Sequence, residues 1–271
     1  MNKYLLKFNN LLKRAPSFFT GHAGLCLFAL SLFSLGLYLV VWHLAPAFGR
    51  DSARYLLMIQ QWYETGTKEA TWYPPMLCCM VRGVMALGVS AAVAGLAVNM
   101  LSGALLVPTV AAIAFEATQN KKIMLVAALF TALHPSVVAL STEVQRDMPY
   151  LLLAAFSFWF ALAAAKRKKW FFWCGAGVCL ALAAFSRFES AELIPLFLSA
   201  ILVLTICKHL TWRQGIGYAC CLMLSAFVSL FLFLFLYSSW GMGERYETYF
   251  MGKLKRVEQQ QFMHFFHNEK R

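Results

Sequence analysis

The chain alternates between long apolar runs and short segments that carry nearly all of its charge. Most of the runs approach the roughly 20 residues that a helix needs to cross the hydrocarbon core of a bilayer. They comprise residues 24–44, 97–115, 123–140, 149–165, 170–185, 193–207 and 215–237. We therefore predict an all-α, polytopic membrane protein with about seven transmembrane helices.

The composition supports a membrane protein and excludes an ordinary soluble domain. Hydrophobic residues make up 61% of the chain and charged residues 13%, whereas soluble domains average about 45–50% and about 25%. The first run is too long for a cleaved signal peptide, and no small-residue cleavage site precedes Trp42. We expect residues 24–44 to form an anchor helix.

Charge is divided unequally between the two sides of the predicted membrane. Twelve of the 24 Lys and Arg residues lie on one side, together with only one of the 12 acids, Glu116. Short cytoplasmic loops retain Lys and Arg, so this side and the N-terminus are predicted to be cytoplasmic. The other acids then form an exoplasmic layer. The net charge of +12 follows from this topology, and a nucleic acid partner is not expected.

The first exoplasmic loop, residues 45–96, departs from a simple alternation of spans and loops. It begins polar and becomes apolar from Met76 to Val89, before the next run opens at Ala97. If residues 76–89 also crossed the membrane, the lysine-rich loops that follow would fall on the outer side. We therefore predict a re-entrant or interfacial helix here, with Arg82 turned inward or toward the interface.

The first acidic segment of the exoplasmic side follows the anchor helix directly. Asp51 precedes Ser-Ala-Arg-Tyr-Leu-Leu-Met, a pattern that predicts a helix start with Asp51 as its N-cap. A carboxylate fixed at a helix start on the membrane surface is also a well-oriented base. Capping and catalysis are compatible, and both interpretations stay open.

Two further polar segments lie at the mouths of later helices. The second holds Glu143, Arg146 and Asp147, and the third holds Arg187 and Glu189. Unpaired charges would be costly in such surroundings. An internal salt bridge from Arg146 to Glu143 or Asp147 is the structural alternative for the second segment, and an ordinary interfacial loop is the alternative for the third.

Carboxylates and arginines together at an outer membrane surface suit sugar transfer from a lipid phosphate. The acceptor hydroxyl must lose a proton, which a carboxylate can take. The departing phosphate gains negative charge, which arginines or a metal can stabilise.

Four features, in this order and topological placement, resemble the GT-C superfamily. The resemblance is to the polyprenyl-phosphate-sugar-dependent transferases related to protein O-mannosyltransferases and the lipid A aminoarabinose transferase. The features are Arg50-Asp51-x-x-x-Tyr55, Tyr73-Pro74-Pro75-Met76, Glu143-x-x-Arg146-Asp147-x-Pro149-Tyr150 and Ser186-Arg187-Phe188-Glu189.

The resemblance implies a role for each segment. Asp51 corresponds to the catalytic base of the first exoplasmic loop, while Tyr73, Pro74 and Pro75 shape that loop beside the lipid-donor groove. The residues expected around the donor phosphate and sugar are Arg50, Arg54, Arg82, Glu143, Arg146, Asp147, Tyr150, Arg187 and Glu189. We expect an inverting transfer to a hydroxyl or amine of a protein, lipid or glycan, at the outer face of a bacterial inner membrane.

No cofactor is certain from the sequence. Glu143 and Asp147 either orient the arginines or bind a divalent cation, and carboxylates without histidine favour Mg²⁺ or Mn²⁺. We prefer stabilisation by arginine and keep the cation as an alternative.

We predict one transmembrane catalytic module, residues 1–237, followed by an amphipathic exoplasmic tail, residues 238–271, at the membrane surface. Relatives of this superfamily commonly continue with further helices, so the tail is interpreted as the start of a C-terminal region. Two alternatives follow: a truncated, non-catalytic module, or a polytopic transporter. Against a transporter, acids are absent from the middles of the runs, and no inverted repeat is visible.

Overall fold

A computed structural model describes residues 21–45, 49–66 and 75–237, and these residues form helices and no strands. The helices are α1 Ala23–Leu44, α2 Arg50–Thr65, α3 Pro75–Met85, α4 Ala91–Thr118, α5 Lys121–Leu133, α6 Pro135–Ser141, α7 Asp147–Arg167, α8 Trp170–Ala184, α9 Leu193–Ile206 and α10 Trp212–Tyr237. A 3₁₀ turn, Phe188–Glu192, precedes α9. The predicted all-α class is confirmed, and the predicted tail lies outside the described residues.

Five helical stretches in the described part of the chain are long and apolar enough to cross a membrane. They are α1, α4, α7, α10 and the continuous stretch Phe188–Ile206. Helices α5 and α6 make a sixth if they are counted as one broken span, since a bend of 54° separates them. The bend falls at His134-Pro135, where His134 is extended because a residue that precedes proline is sterically kept from helical backbone angles.

The predicted number of seven spans is not confirmed, and α8 accounts for the difference. It has 15 residues, and at 1.5 Å per residue it covers only about 22 Å. The apolar run 170–185 therefore predicted a helix correctly, but a helix shorter than the hydrocarbon core.

The first loop contains two short helices. Helix α2 is amphipathic, and it ends at Gly66, whose φ of 69° is the left-handed conformation that glycine adopts without steric cost. Its buried side recurs at helical spacing and consists of Ser52, Tyr55, Met58, Ile59 and Trp62. Helix α3 corresponds to the predicted re-entrant or interfacial helix and ends at Met85, four residues before the predicted end at Val89.

Helix α4 is the centre of the first half of the bundle. It packs against α1, α3, α5, α6 and α7. Helix α8 has the same role in the second half, where it lies between α7 and α10, with Trp173 and Leu180 among its buried side chains. Helices α1 and α10 expose many large apolar side chains, as expected of surfaces that face lipid.

Glu116, the acid predicted on the basic side, is neutralised within the bundle. Its side chain is nearly buried at the end of α4 and accepts a hydrogen bond from Arg167 Nη2 at the end of α7. Nearby, Lys166 Nζ lies 3.4 Å from the carbonyl oxygen of Ala117. The basic end of the spans is thus separate from the end that carries the other described acids.

One face of α4 holds the segment between α6 and α7. Gly95, Asn99 and Gly103 recur every four residues and share this face. A Cβ on Gly95 would lie 2.8 Å from Cγ1 of Val144, and a Cβ on Gly103 would overlap the hydroxyl of Ser141. Glycine is required at both positions because the segment approaches the backbone of α4 too closely for a side chain.

We predict that Gly95→Ala destabilises the protein. Val144 is fully buried and its β-branched side chain has little rotational freedom, so the added methyl group must displace the segment. Overpacking of this kind costs about 1–3 kcal/mol. Denaturation of the purified protein in detergent would measure the loss.

The matched control is Gly36→Ala in α1, because no atom lies within 4 Å of a Cβ at that position. Equal stabilities of the two variants would contradict the close approach of Val144 to α4.

Candidate active site

Three segments meet at the same end of the bundle, and we call this meeting point the three-loop junction. It comprises residues 49–52 at the start of α2, residues 142–147 between α6 and α7, and residues 185–189 after α8. Helix α3 joins the junction because the amide of Met76 donates a hydrogen bond to the carbonyl oxygen of Phe185 over 3.1 Å. The predicted polar segments of all three loops therefore contribute to one region.

Arg187 links the second and third segments. Its Nη1 donates a hydrogen bond to Oδ1 of Asp147, and its Nε lies 3.5 Å from Oε2 of Glu189. The ring of Tyr150 lies 5.7 Å from the guanidinium carbon, within the range of a cation–π contact. These contacts engage Nη1 and Nε, and Nη2 forms no hydrogen bond with the residues that the structure describes.

The environment of Arg187 favours its charged form. Burial lowers its pKa, but the neighbouring carboxylates of Asp147 and Glu189 raise it, and the net shift is upward. The side chain of Arg187 is 34% exposed. A permanently charged guanidinium is therefore held by two carboxylates on a side chain that stays partly exposed.

Asp147 pairs with Arg187 and not with Arg146, which was the salt-bridge partner considered from the sequence. Within the described residues, Arg146 forms no salt bridge with Glu143 or Asp147. Arg146 instead precedes α7 in helical conformation and acts electrostatically on Glu189. In the third segment, Arg187 binds Asp147 at the start of α7, so this segment is joined to the second one.

Glu143 lies at the N-terminus of α2. A Cβ on Gly49, the N-cap residue of α2, would lie 3.5 Å from Oε2 of Glu143 and 3.9 Å from both Nε2 of Gln145 and Oγ of Ser52. Gln145 also donates a hydrogen bond to Glu143. A carboxylate at this position is stabilised by the partial positive charge of the first turn.

Asp51 lies beside this contact, in the first turn of α2. The predicted capping role is wrong: the helix begins at Arg50, extended Gly49 occupies the N-cap position, and no side chain caps the helix. Asp51 is exposed, and so are Arg50 and Arg54. The carboxylate is therefore accessible to a substrate that reaches the junction, and Arg54 lies three residues away on the same face.

Arg82 is placed away from the start of α2. Its guanidinium carbon lies 4.2 Å from the centre of the Trp62 ring. Trp62 follows Asp51 by eleven residues along α2, which corresponds to about 16 Å of helix. The structure thus groups Arg82 with the packing of α3 against the far end of α2.

Of the Tyr73-Pro74-Pro75 element, only Pro75 is described. It is buried at the first position of α3, one residue before the amide that binds Phe185. Tyr73 and Pro74 lie outside the described residues.

An apolar groove opens below the junction. Its volume is about 510 Å³, and it runs between α4, the α5–α6 bend and α7. Tyr150 belongs both to the groove wall and to the surroundings of Arg187. The other residues that line the groove include Leu106, Val110, Phe130, His134, Leu151 and Phe158.

The sequence analysis missed three polar residues of the junction: Ser52, Gln145 and, on α4, Asn99. Asn99 is fully buried and its Nδ2 donates hydrogen bonds to the carbonyl oxygens of Glu143 and, over 3.0 Å, of Gln145. An amide inside an apolar run was the available signal for Asn99. No group of three or more His, Cys, Asp and Glu residues in the described chain is arranged to hold a metal ion.

Comparison with known protein families identifies a match to this chain. The model of the dolichyl-phosphate-mannose-protein mannosyltransferase family matches residues 73–237, more than half of the chain. This match includes Glu143, Asp147 and Arg187 and begins after Asp51. No curated protein and no solved structure matches the chain. The expected GT-C resemblance is confirmed: the chain belongs to the dolichyl-phosphate-mannose-protein mannosyltransferase family, whose members are membrane glycosyltransferases of the GT-C type that use a lipid-linked sugar donor and an acceptor.

Proposed function

We propose that this protein transfers a sugar from a polyprenyl-phosphate donor to a hydroxyl or amine of an acceptor protein, lipid or glycan. The observation that carries the proposal is the position of Arg187 at the head of the apolar groove. Tyr150 lines the groove, and its ring also contacts the guanidinium of Arg187. A polyprenyl-phosphate sugar has the matching form, since an apolar chain ends in an anionic phosphate. The groove is also of ordinary size for a ligand site.

Arg187 is the residue proposed to bind the donor phosphate. Asp147 and Glu189 hold its guanidinium in place, so little conformational freedom is lost when the phosphate binds. A charge-assisted hydrogen bond strengthens as the phosphate leaves with additional negative charge, which lowers the barrier to transfer. Arg146 acts electrostatically on Glu189 and adds positive charge to the site.

Asp51 is proposed as the base. The acceptor oxygen or nitrogen attacks the anomeric carbon, the bond from that carbon to the phosphate oxygen breaks, and the phosphate leaves with the electron pair. Asp51 takes the proton that the acceptor loses. A single displacement of this kind inverts the configuration of the anomeric carbon. The exposure of Asp51 and its proximity to Glu143 across Gly49 support this role.

The orientation proposed for the protein follows from its charge. The described basic residues Lys121, Lys122, Lys166, Arg167, Lys168 and Lys169 lie at the end of the bundle opposite the junction. Lys and Arg favour the cytoplasmic side, so the junction and groove mouth would face outward from a bacterial inner membrane. A cation site at Glu143 and Asp147 stays an alternative prediction, which chelation of divalent cations in a transfer assay would test.

Asp51→Asn is predicted to lower the rate of transfer by at least about 100-fold, the lower range for loss of a general base. Binding of the donor should stay within about threefold, a difference under 1 kcal/mol. Purified protein in liposomes with a labelled polyprenyl-phosphate sugar would provide both measurements. Glu64→Gln is the matched control, because Glu64 is an exposed carboxylate at the other end of the same helix. Wild-type turnover by Asp51→Asn would exclude Asp51 as base.

Arg187→Gln is predicted to weaken donor binding by about tenfold or more, since a hydrogen bond to a charged group contributes about 1.5–3 kcal/mol. Equilibrium binding of a polyprenyl phosphate to the detergent-purified protein would measure it. Arg213→Gln, which removes an exposed arginine from the basic end, should leave binding unchanged. Equal losses in both variants would indicate a nonspecific effect of charge.

Arg82→Gln distinguishes packing from phosphate binding. If Arg82 acts through the ring of Trp62, the protein loses about 0.5–2 kcal/mol of stability and binds the donor normally. Normal stability with weakened donor binding would instead support the phosphate role that the sequence resemblance implies.

A further inference from the structure

Asn99 is a polar residue in an apolar part of the bundle. Its side chain has no solvent exposure, and a buried amide is costly unless it is hydrogen-bonded. Both of its hydrogen bonds go to the backbone of the same short segment, at Glu143 and Gln145. The amide therefore satisfies two carbonyl groups that lie outside any helix, where hydrogen bonds within a helix cannot satisfy them.

The contacts on either side of Asn99 fix the same segment. One turn before it, Val144 packs against Gly95, and one turn after it, Ser141 packs against Gly103. One face of α4 thus holds residues 141–145 at three positions. Gly95 and Gly103 hold them by close contacts, and Asn99, between the two, holds them by a pair of hydrogen bonds. A segment held at three points has little freedom to shift along α4.

This arrangement determines where the side chain of Glu143 points. With the backbones of Glu143 and Gln145 fixed by Asn99, their side chains lie beside Gly49, the N-cap residue of α2. Asp51 belongs to the same first turn. The position of the candidate base relative to the second segment therefore depends on a residue that touches neither the donor nor the acceptor.

We propose that Asn99 is a positioning residue: it holds the segment 143–145 so that Glu143 lies against the start of α2, the turn that carries Asp51. As far as catalysis is concerned, this inference rests on the proposed sugar transfer. The contact between Glu143 and α2 does not, and it can be measured in a protein without activity.

The donor end of the site is held independently of Asn99. Asp147 begins α7 and is bound by Arg187, and Met148 next to it is fully buried. Loss of the Asn99 hydrogen bonds should therefore loosen residues 143–145 and leave Asp147, Tyr150 and the groove in place. The expected effect is on turnover, with little effect on donor affinity.

Asn99→Leu tests the kinetic part, because leucine has a similar size and shape and has no hydrogen-bond donor. We expect kcat to fall about tenfold or more, equivalent to at least about 1.4 kcal/mol of transition-state stabilisation, and KM for the donor to stay within about threefold. Ser102→Ala is the matched control, since the buried hydroxyl of Ser102 donates a hydrogen bond to the carbonyl oxygen of Val98 in its own helix, over 2.7 Å, and to no other residue that the structure describes. Its kcat should equal that of the wild type.

Thiol crosslinking tests the positioning part without any transfer assay. Gly49→Cys together with Glu143→Cys should crosslink readily with a short bifunctional thiol reagent, as read by mass spectrometry of the digested protein. Addition of Asn99→Leu should lower the yield several-fold, and addition of Ser102→Ala should not. Val144→Ala, which loosens the same segment from α4, provides a second variant and should lower the yield if Asn99→Leu does not fold.

The two measurements separate the possible failures. An unchanged crosslink yield in both Asn99→Leu and Val144→Ala would overturn the positioning role, whatever the activity. A larger donor KM with unchanged kcat in Asn99→Leu would also overturn it. The predicted loss of crosslinking in a protein whose wild type transfers no sugar would support the role of Asn99 and contradict the proposed function.

Discussion

Backbone that leaves a helix near the hydrocarbon region must find its hydrogen-bond partners within the protein. In this bundle the segment between α6 and α7 meets that requirement on α4, where Asn99 binds the carbonyl groups of Glu143 and Gln145. The close contacts at Gly95 and Gly103 bring the two backbones near enough for these bonds to form. The contact of Glu143 with the start of α2 depends on this segment, whereas Asp147 follows it as the first residue of α7 and is bound by Arg187.

The two ends of the segment serve different parts of the site. At one end, Glu143 reaches the start of α2 and the turn that carries Asp51. At the other, Asp147 orients Arg187 at the head of an apolar groove. The proposed base, through the first turn of α2, and the proposed phosphate-binding arginine thereby both lie next to residues 143–147, although they come from distant parts of the sequence. Such preorganisation is how an enzyme stabilises charge that develops during a reaction.

The helices were predictable because an apolar run of suitable length indicates a helix that lies in the hydrocarbon core of a membrane. The shortness of α8 was visible too, since its run of 16 residues exceeds the helix by only one, and counting that run as a full span overestimated the number of spans. The helix start near Asp51 was also predicted, but its capping residue was not, because extended Gly49 placed the start two residues earlier. Local sequence therefore identified the elements and left their ends uncertain by a few residues.

The contacts between side chains of the site were harder to predict from the sequence. Arg146 is next to Asp147 in the chain, yet Asp147 binds Arg187, which lies 40 residues away. Helix geometry directs neighbouring side chains apart, whereas packing of α7 against α8 brings the distant pair together. Asn99 was visible as a lone amide in an apolar run, but its two acceptors could be identified only once the segment 141–145 was placed on α4.

The central claim is that the groove beneath Arg187 holds the lipid chain of a polyprenyl-phosphate sugar. The most direct measurement is photocrosslinking with a polyprenyl phosphate that carries a photoreactive group close to its phosphate, followed by mass spectrometric mapping. We expect labelling of residues 150–158 on α7 and 106–113 on α4, and we expect excess unlabelled polyprenyl phosphate to abolish it. Labelling confined to the lipid-facing surfaces of α1 and α10, and insensitive to that competitor, would contradict it.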